Sequence, residues 1–178
     1  MSNQSFETLP GFPQTEETVL PFGGQEHYSE GFLVRFRKED GASWIGNFKR
    51  GYTELSGVFS LPATSELVVF AGGCAYIVNR EVMTVGCEFG NGYCQNLVQS
   101  KEGAIIISDL TSVIIVERDG EVWISERISW DGIKDLKLDG DVVTGLSFDP
   151  MSDEKWIGFS VNVKTRVVTG GGYRRYDI

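Results

Sequence analysis

Short apolar runs rich in Val and Ile are the feature that most constrains the fold of this chain. Typical runs are residues 67–70, 104–107 and 113–116, and each is followed within a few positions by glycine, asparagine or aspartate. No stretch keeps apolar residues at the i, i+3, i+4, i+7 spacing of a helix over three turns. Val and Ile favour strands, and Asp-Gly and Gly-Gly pairs favour the tight turns that join them. The sequence therefore predicts an all-β protein.

An internal similarity at a shift of 47 positions indicates repeated hairpins. It aligns residues 67–69 with 114–116, and Tyr76-Ile77 with Trp123-Ile124. A period of about 40 to 50 residues is typical of β-propeller blades, whose small sheets stack because one sheet cannot bury both of its faces alone.

A second similarity, at a shift of 112 positions, aligns Trp44-Ile45-Gly46 with Trp156-Ile157-Gly158. Together the two shifts predict a propeller-like stack of small antiparallel sheets. A β-sandwich or a barrel is the alternative, and a closed or an open arrangement of the sheets is left open.

The first 27 residues differ from the rest of the chain. They contain three of the five prolines and the Gly23-Gly24 pair between isolated apolar residues. Because Pro and Gly interrupt strands, we expect an irregular N-terminal arm over residues 1–27. Residues 28–178 are expected to form a single β-repeat domain.

The charge of the chain narrows the range of partners. The 178 residues include 25 acidic and 16 basic side chains, which gives a formal net charge of −9. Nucleic acids and anionic membrane surfaces attract Lys and Arg, so neither is an expected partner. A basic protein partner would be attracted instead. The N-terminus has no basic region followed by an apolar run, so we expect a cytoplasmic location.

The metal and cofactor motifs that sequence can reveal are missing. Cys74, Cys87 and Cys94 match no zinc-binding spacing, and His27 is the only histidine. An odd number of cysteines without a signal peptide also argues against a disulfide framework. We therefore expect free thiols, no metal site and no cofactor.

The supply of catalytic groups is equally limited. A Ser-His-Asp or Cys-His arrangement would have to use His27, in the segment with the weakest strand pattern, and no nucleophile-elbow or phosphate-loop motif occurs. We predict no catalytic residue and favour a non-enzymatic function, without excluding an enzyme. Paired carboxylates of a glycosidase remain open, because Asp131 stands beside Trp130 and an aromatic ring can serve as a platform for a sugar.

The tryptophans are the best candidates for binding residues. Trp44 and Trp123 recur in similar strands, which favours core positions between sheets. Trp130 follows a strand and precedes Asp131-Gly132, which is typical of a loop, and loops carry many contact residues. The candidate binding residues are Trp130, Asp131, Trp123 and Trp44.

The patterns Trp44-x-x-Asn-Phe48, Val122-Trp-Ile-Ser125 and Trp130-Asp-Gly-Ile133 resemble those of a set of uncharacterised small bacterial proteins. The resemblance covers about residues 40–172. It implies a bacterial source and carries no activity, cofactor or site residue.

Two functional hypotheses follow from these observations. The first is a non-catalytic protein-interaction module of an immunity or accessory type that binds a basic partner, with a homodimer as a further possibility. The alternative is a saccharide-binding or glycoside-hydrolysing protein that uses Trp130, Asp131 and nearby carboxylates.

Overall fold

The computed structural model describes residues 5–14, 16–27 and 29–173. In this part of the chain all regular elements are β-strands, sixteen in number, and no helix is long and apolar enough to cross a membrane. The all-β prediction is confirmed, and so is the prediction of small, mainly antiparallel sheets.

The strands form four sheets of four strands each, named A to D in chain order. Sheet A contains β1 (Phe6–Leu9), β2 (Val19–Phe22), β3 (Phe32–Arg37) and β4 (Ser43–Phe48). Sheet B contains β5 (Gly57–Ser60), β6 (Glu66–Ala71), β7 (Cys74–Asn79) and β8 (Thr84–Phe89). Sheet C contains β9 (Gln95–Gln99), β10 (Ile105–Ser108), β11 (Val113–Val116) and β12 (Val122–Ile124). Sheet D contains β13 (Ile133–Asp139), β14 (Val142–Phe148), β15 (Trp156–Asn162) and β16 (Val168–Gly170).

The chain divides into two compact units, where the sequence analysis expected one domain after residue 27. The N-terminal unit (Met1–Gly92) contains sheets A and B, and the C-terminal unit (Tyr93–Ile178) contains sheets C and D. Each unit has a hydrophobic cluster shared by its own two sheets. The similarity between hairpins carries no information about which sheets share a core, so the sequence did not show this division.

Aromatic side chains dominate the core of the N-terminal unit. Phe36, Trp44 and Phe48 of sheet A pack against Val69 and Tyr76 of sheet B. The Phe36 and Trp44 rings are opposite each other on β3 and β4, with centroids 4.6 Å apart. Aromatic contacts of this kind add about 0.5 to 1.5 kcal/mol beyond the burial of area.

The segment that was expected to be irregular contributes two strands to sheet A. β1 pairs with β3 in antiparallel fashion, and β2 pairs with β4 in parallel at the other edge of the sheet. Pro21 is compatible with β2 because an edge strand needs hydrogen bonds on one side only. The pairing partners are distant in sequence, so local Pro and Gly signals hid these strands.

The connection between β1 and β2 crosses the face of sheet A that points away from the core, because the two strands lie at opposite edges. The Glu17 carboxylate accepts hydrogen bonds from Arg35 Nε at 2.9 Å and from Ser43 Oγ at 2.6 Å. Both donors belong to this outer face. Leu33 and Ile45, which also point outward, are 1% and 0% exposed. The outer face of sheet A is therefore covered.

Aliphatic side chains dominate the core of the C-terminal unit. Ile106 and Ile115 of sheet C lie in one cluster with Ile133, Val143 and Phe159 of sheet D. Glycine fills one crowded position there, because a Cβ atom on Gly145 would lie 2.7 Å from the Phe159 ring. Because residues alternate between faces along each strand, every second side chain of sheet D points to the face away from this cluster.

The two internal similarities differ in what they align. The shift of 47 positions places hairpin β6–β7 on β11–β12, which occupy different positions in their sheets. Equivalent strands β5 and β9 begin at Gly57 and Gln95, 38 positions apart. The predicted period of 47 residues is therefore wrong, because it places each strand of the hairpin one strand too far along in the next sheet. The shift of 112 positions aligns β4 with β15, and each is the third strand in the side-by-side order of its sheet.

Candidate functional site

Three loops at one end of the C-terminal unit are joined by main-chain hydrogen bonds. They connect β10 to β11, β12 to β13 and β14 to β15. The Gly132 amide donates to Leu110 O at 2.7 Å, and the Trp130 amide donates to Phe148 O at 3.1 Å. Ser129 Oγ donates to Gly132 O and accepts from the Phe148 amide. These bonds hold the three loops, here called the loop end, in a defined conformation.

Trp130 is fixed in the loop end by its neighbours. Its ring meets Tyr173 edge to face, with centroids 4.9 Å apart. The Arg127 guanidinium lies 4.5 Å from the centre of the Tyr173 ring and donates from Nη2 to Trp130 O at 2.7 Å. Trp130 is half-buried, so part of its side chain remains accessible.

The loop end carries four exposed acidic side chains, two exposed basic ones (Arg127 and Lys155) and an exposed apolar side chain. Met151, in the loop after β14, is 72% exposed. The acidic side chains exposed on the same loops form what is called here the acidic patch: Glu126, Asp131, Asp153 and Glu154. Lys155 donates from Nζ to Pro150 O, so part of its hydrogen-bonding capacity is satisfied within the loop.

The structure does not bring the four predicted binding residues together. Trp130 and Asp131 are neighbours in the loop end, as the sequence predicted for a loop. Trp123 lies on β12 with the Arg166 guanidinium 5.2 Å from its ring centre. Trp44 lies in the core of the N-terminal unit, 1% exposed, and donates from Nε1 to Arg80 O. A side chain this buried has no surface to offer a partner.

A cleft of about 650 Å³ lies at the other end of sheets C and D, where the turns β9–β10, β13–β14 and β15–β16 meet. Its charged lining residues include two ion pairs. Lys164 Nζ is 2.8 Å from Asp141 Oδ2, and this hydrogen bond raises the pKa of Lys164. Arg166 pairs with Glu117. The sequence analysis missed this cleft, because Glu117 and Arg166 are 49 positions apart and no local pattern links them.

Two further cavities are present. One of about 590 Å³ follows the outer face of sheet D, and one of about 230 Å³ in the N-terminal unit is lined by Tyr76, Cys74 and Glu88. Burial raises the pKa of Tyr76, whose hydroxyl donates to Lys49 O at 2.9 Å. Neither Trp130 nor Asp131 lines any of these three cavities.

The cysteines and carboxylates form no metal centre in the described residues. Cys74, Cys87 and Cys94 are free thiols, and no group of three His, Cys, Asp or Glu side chains there could hold a metal ion.

Comparisons with known proteins are sparse. No protein-family model matches this sequence, and neither does any curated protein. The N-terminal domain of Nup159 is similar in structure at a TM-score of 0.42 and 10% identity, over 68% of this chain and 34% of that one. Nup159 in an S. cerevisiae complex with Dbp5 gives a TM-score of 0.42 at 11% identity, over 70% and 35% of the two chains.

A third similar structure is the extracellular domain of a hybrid two-component system from B. thetaiotaomicron. Its TM-score is 0.45 at 9% identity, over 86% of this chain and 25% of that one. This chain therefore spans a quarter to about a third of the chains it matches. The resemblance to small bacterial proteins stays a prediction.

Proposed function

We propose that this protein is a non-catalytic interaction module that binds a basic protein through the loop end of its C-terminal unit. The observation that carries the proposal is the anchored Trp130 loop beside the acidic patch. Aromatic side chains held in a fixed position contribute much of the binding energy at protein interfaces. Surrounding carboxylates speed the encounter with a basic partner and favour it over acidic ones.

The rigidity of the loop end supports this function. Main-chain bonds to Leu110 and Phe148 fix the Trp130 segment before any partner arrives. Less conformational entropy is then lost on binding than with a mobile loop. Met151, exposed on a neighbouring loop, offers an adaptable apolar contact.

An immunity-type or accessory role in the cytoplasm belongs to the same proposal and is supported by the formal net charge of −9. The saccharide hypothesis remains a prediction. None of the three cavities described above combines Trp130 with Asp131, so no observation favours it over protein binding.

The test compares the wild-type chain with the triple variant D131N/D153N/E154Q. Each chain is immobilised and exposed to extract of the source cell, and a retained protein is then purified and titrated calorimetrically. We expect a basic partner whose affinity falls about tenfold or more in the variant and decreases with added salt.

The matched control is the triple variant E16Q/E26Q/E54Q, which neutralises three exposed carboxylates in the N-terminal unit. We expect the control to bind like wild type. Equal retention by the wild type and D131N/D153N/E154Q would refute the proposal, as would equal losses in D131N/D153N/E154Q and the control. Binding of an oligosaccharide array that W130A and D131N abolish would favour the saccharide hypothesis instead.

A further inference from the structure

The cleft at the turn end of sheets C and D has an apolar interior. Val98, Leu138 and Val163 line it and also belong to the edge of the hydrophobic cluster of this unit. Its volume of about 650 Å³ falls within the range of about 300 to 1,000 Å³ that small-molecule sites occupy. An apolar interior with a few polar groups at the rim is the usual composition of such sites.

The charged groups at the rim are three cations and three carboxylates: Lys101, Lys164, Arg166, Glu102, Glu117 and Asp141. Lys164 is paired with Asp141, and Glu102 acts on it as a second negative charge. Lys101 lines the cleft and makes no salt bridge within the described residues. One cation at the rim is thus available to a negatively charged ligand.

Arg166 provides a second unused donor. Its Nη2 pairs with Glu117, and its guanidinium lies over the Trp123 ring. Nη1 is buried and has no hydrogen-bond acceptor within the part of the chain that the structure describes. A buried donor without an acceptor is rare in folded proteins and calls for an explanation, of which a bound water or ligand is one.

We propose that this cleft binds a small monocarboxylate with an apolar chain, independently of the protein partner at the loop end. The apolar chain lies against Val98, Leu138 and Val163. The carboxylate accepts hydrogen bonds from Arg166 and faces Lys101. Arginine suits this role because its planar donors match the two oxygens of a carboxylate.

The test titrates the purified full chain with octanoate, octan-1-ol and octylammonium by calorimetry, and follows the change in tryptophan fluorescence in parallel. The three probes share the apolar chain and differ in the head group. We expect octanoate to bind saturably and about tenfold more tightly than either of the others, because a hydrogen bond to a charged group is worth about 1.5 to 3 kcal/mol.

Two variants locate the binding. R166K keeps the charge but loses the planar donors, and we expect it to weaken octanoate binding about tenfold while octan-1-ol binds as before. K101Q changes an exposed side chain that folding does not require, and we expect a loss of about threefold. R37K, which changes an exposed arginine of the N-terminal unit, serves as the matched control and should bind octanoate like wild type.

Several outcomes would overturn the proposal. The first is a failure of octanoate binding to saturate up to about 10 mM, the limit of a weak site. The three probes binding with equal affinity would show that no group in the cleft recognises the carboxylate. Equal losses in R166K and R37K would place the binding outside the cleft. If the basic protein partner binds R166K with the same affinity as wild type, the proposed function does not depend on the cleft.

Discussion

The same aromatic pair occurs in the first and the last sheet, with opposite exposure. In sheet A, Trp44 on β4 lies opposite Phe36 on β3; in sheet D, Trp156 on β15 lies opposite Phe148 on β14. Trp44 points into the core of its unit, where sheet B covers it. Trp156 points away from the core that sheets C and D share, and it is half-buried.

The comparison extends to the remaining tryptophans. Each tryptophan of the C-terminal unit has a cationic side chain over its ring: Arg166 at Trp123, Arg127 at Trp130 and Lys134 at Trp156. Trp44 instead contacts the rings of Phe22 and Phe36. Trp44 therefore serves the core, because sheet B covers its face, whereas Trp156 points to a face that no second sheet covers. Trp123 is half-buried and also packs against the core of its unit. Both proposed binding sites lie in the unit with the surface tryptophans.

Truncating the two equivalent tryptophans should have unequal effects on stability. We expect W44A to lower the free energy of unfolding by about 3 to 5 kcal/mol, because it opens a cavity in a filled core. W156A should cost about 1 to 2 kcal/mol, the loss of one aromatic contact and one cation–π contact. Denaturant titrations of both variants measure the difference. Equal losses would show that Trp156 is as buried as Trp44.

The covered outer face of sheet A provides the next test. E17Q removes the negative charge that accepts hydrogen bonds from Arg35 and Ser43. We expect a loss of about 1 to 2 kcal/mol in the free energy of unfolding, since charge-assisted bonds between half-buried groups are stronger than surface pairs. Urea titration at low and moderate salt measures it. A loss that vanishes with modest salt would show that the connection between β1 and β2 is only weakly attached.

The raised pKa of Tyr76 predicts that the stability of the fold falls at alkaline pH. Its pKa is raised by burial above the ordinary value of 10.0, so the folded state keeps the phenol proton that the unfolded state releases first. The stabilisation is complete below about pH 10 and is lost as the pH rises from there toward the folded pKa. Y76F should cost about 1 kcal/mol at neutral pH, through the lost bond to Lys49 O.

The measurement for this prediction is the midpoint of urea unfolding between neutral pH and about pH 11. Wild type should lose more stability over the alkaline range than Y76F. Parallel curves for the two proteins would contradict the assignment of the alkaline loss to Tyr76.

The smallest effect is expected at an exposed pair of the C-terminal unit. D141N removes the partner of Lys164, whose side chain is 60% exposed. We expect no measurable change in the free energy of unfolding, because water screens exposed ion pairs. The variant is the natural comparison for E17Q in the same urea titration. A loss as large as that of E17Q would indicate a structural role for this pair.

Local patterns predicted the part of the fold that local physics determines. Val and Ile runs identified the strands, and Gly72-Gly73 forms the turn that a Gly-Gly pair predicts. The hairpin of sheet D turns at Gly140-Asp141, one residue later than the pair Asp139-Gly140 predicts, because Asp139 still pairs with Val142. The parallel pairing of β2 with β4 could not be predicted, because it depends on long-range contacts. The 47-residue similarity misled because any two hairpins with the same turn spacing align well.

The candidate sites also include residues that local patterns predict and residues that only long-range contacts bring together. Trp130 and Asp131 were recognisable as loop residues from the glycine that follows them and the strand that precedes them. The pairing of Glu117 with Arg166 depends on how sheets C and D meet, which no spacing in the sequence records. The exposure of Trp156 likewise depends on which face of sheet D is covered.

The most direct test of the central comparison is a pair of indole signals. The ¹H–¹⁵N spectrum of the chain is recorded with increasing amounts of a soluble paramagnetic agent, and W44F and W156F assign the two signals. We predict that the Trp156 indole signal broadens strongly while the Trp44 signal, whose Nε1 donates to Arg80 O, stays sharp. Broadening of the Trp44 signal to the same extent would contradict the account.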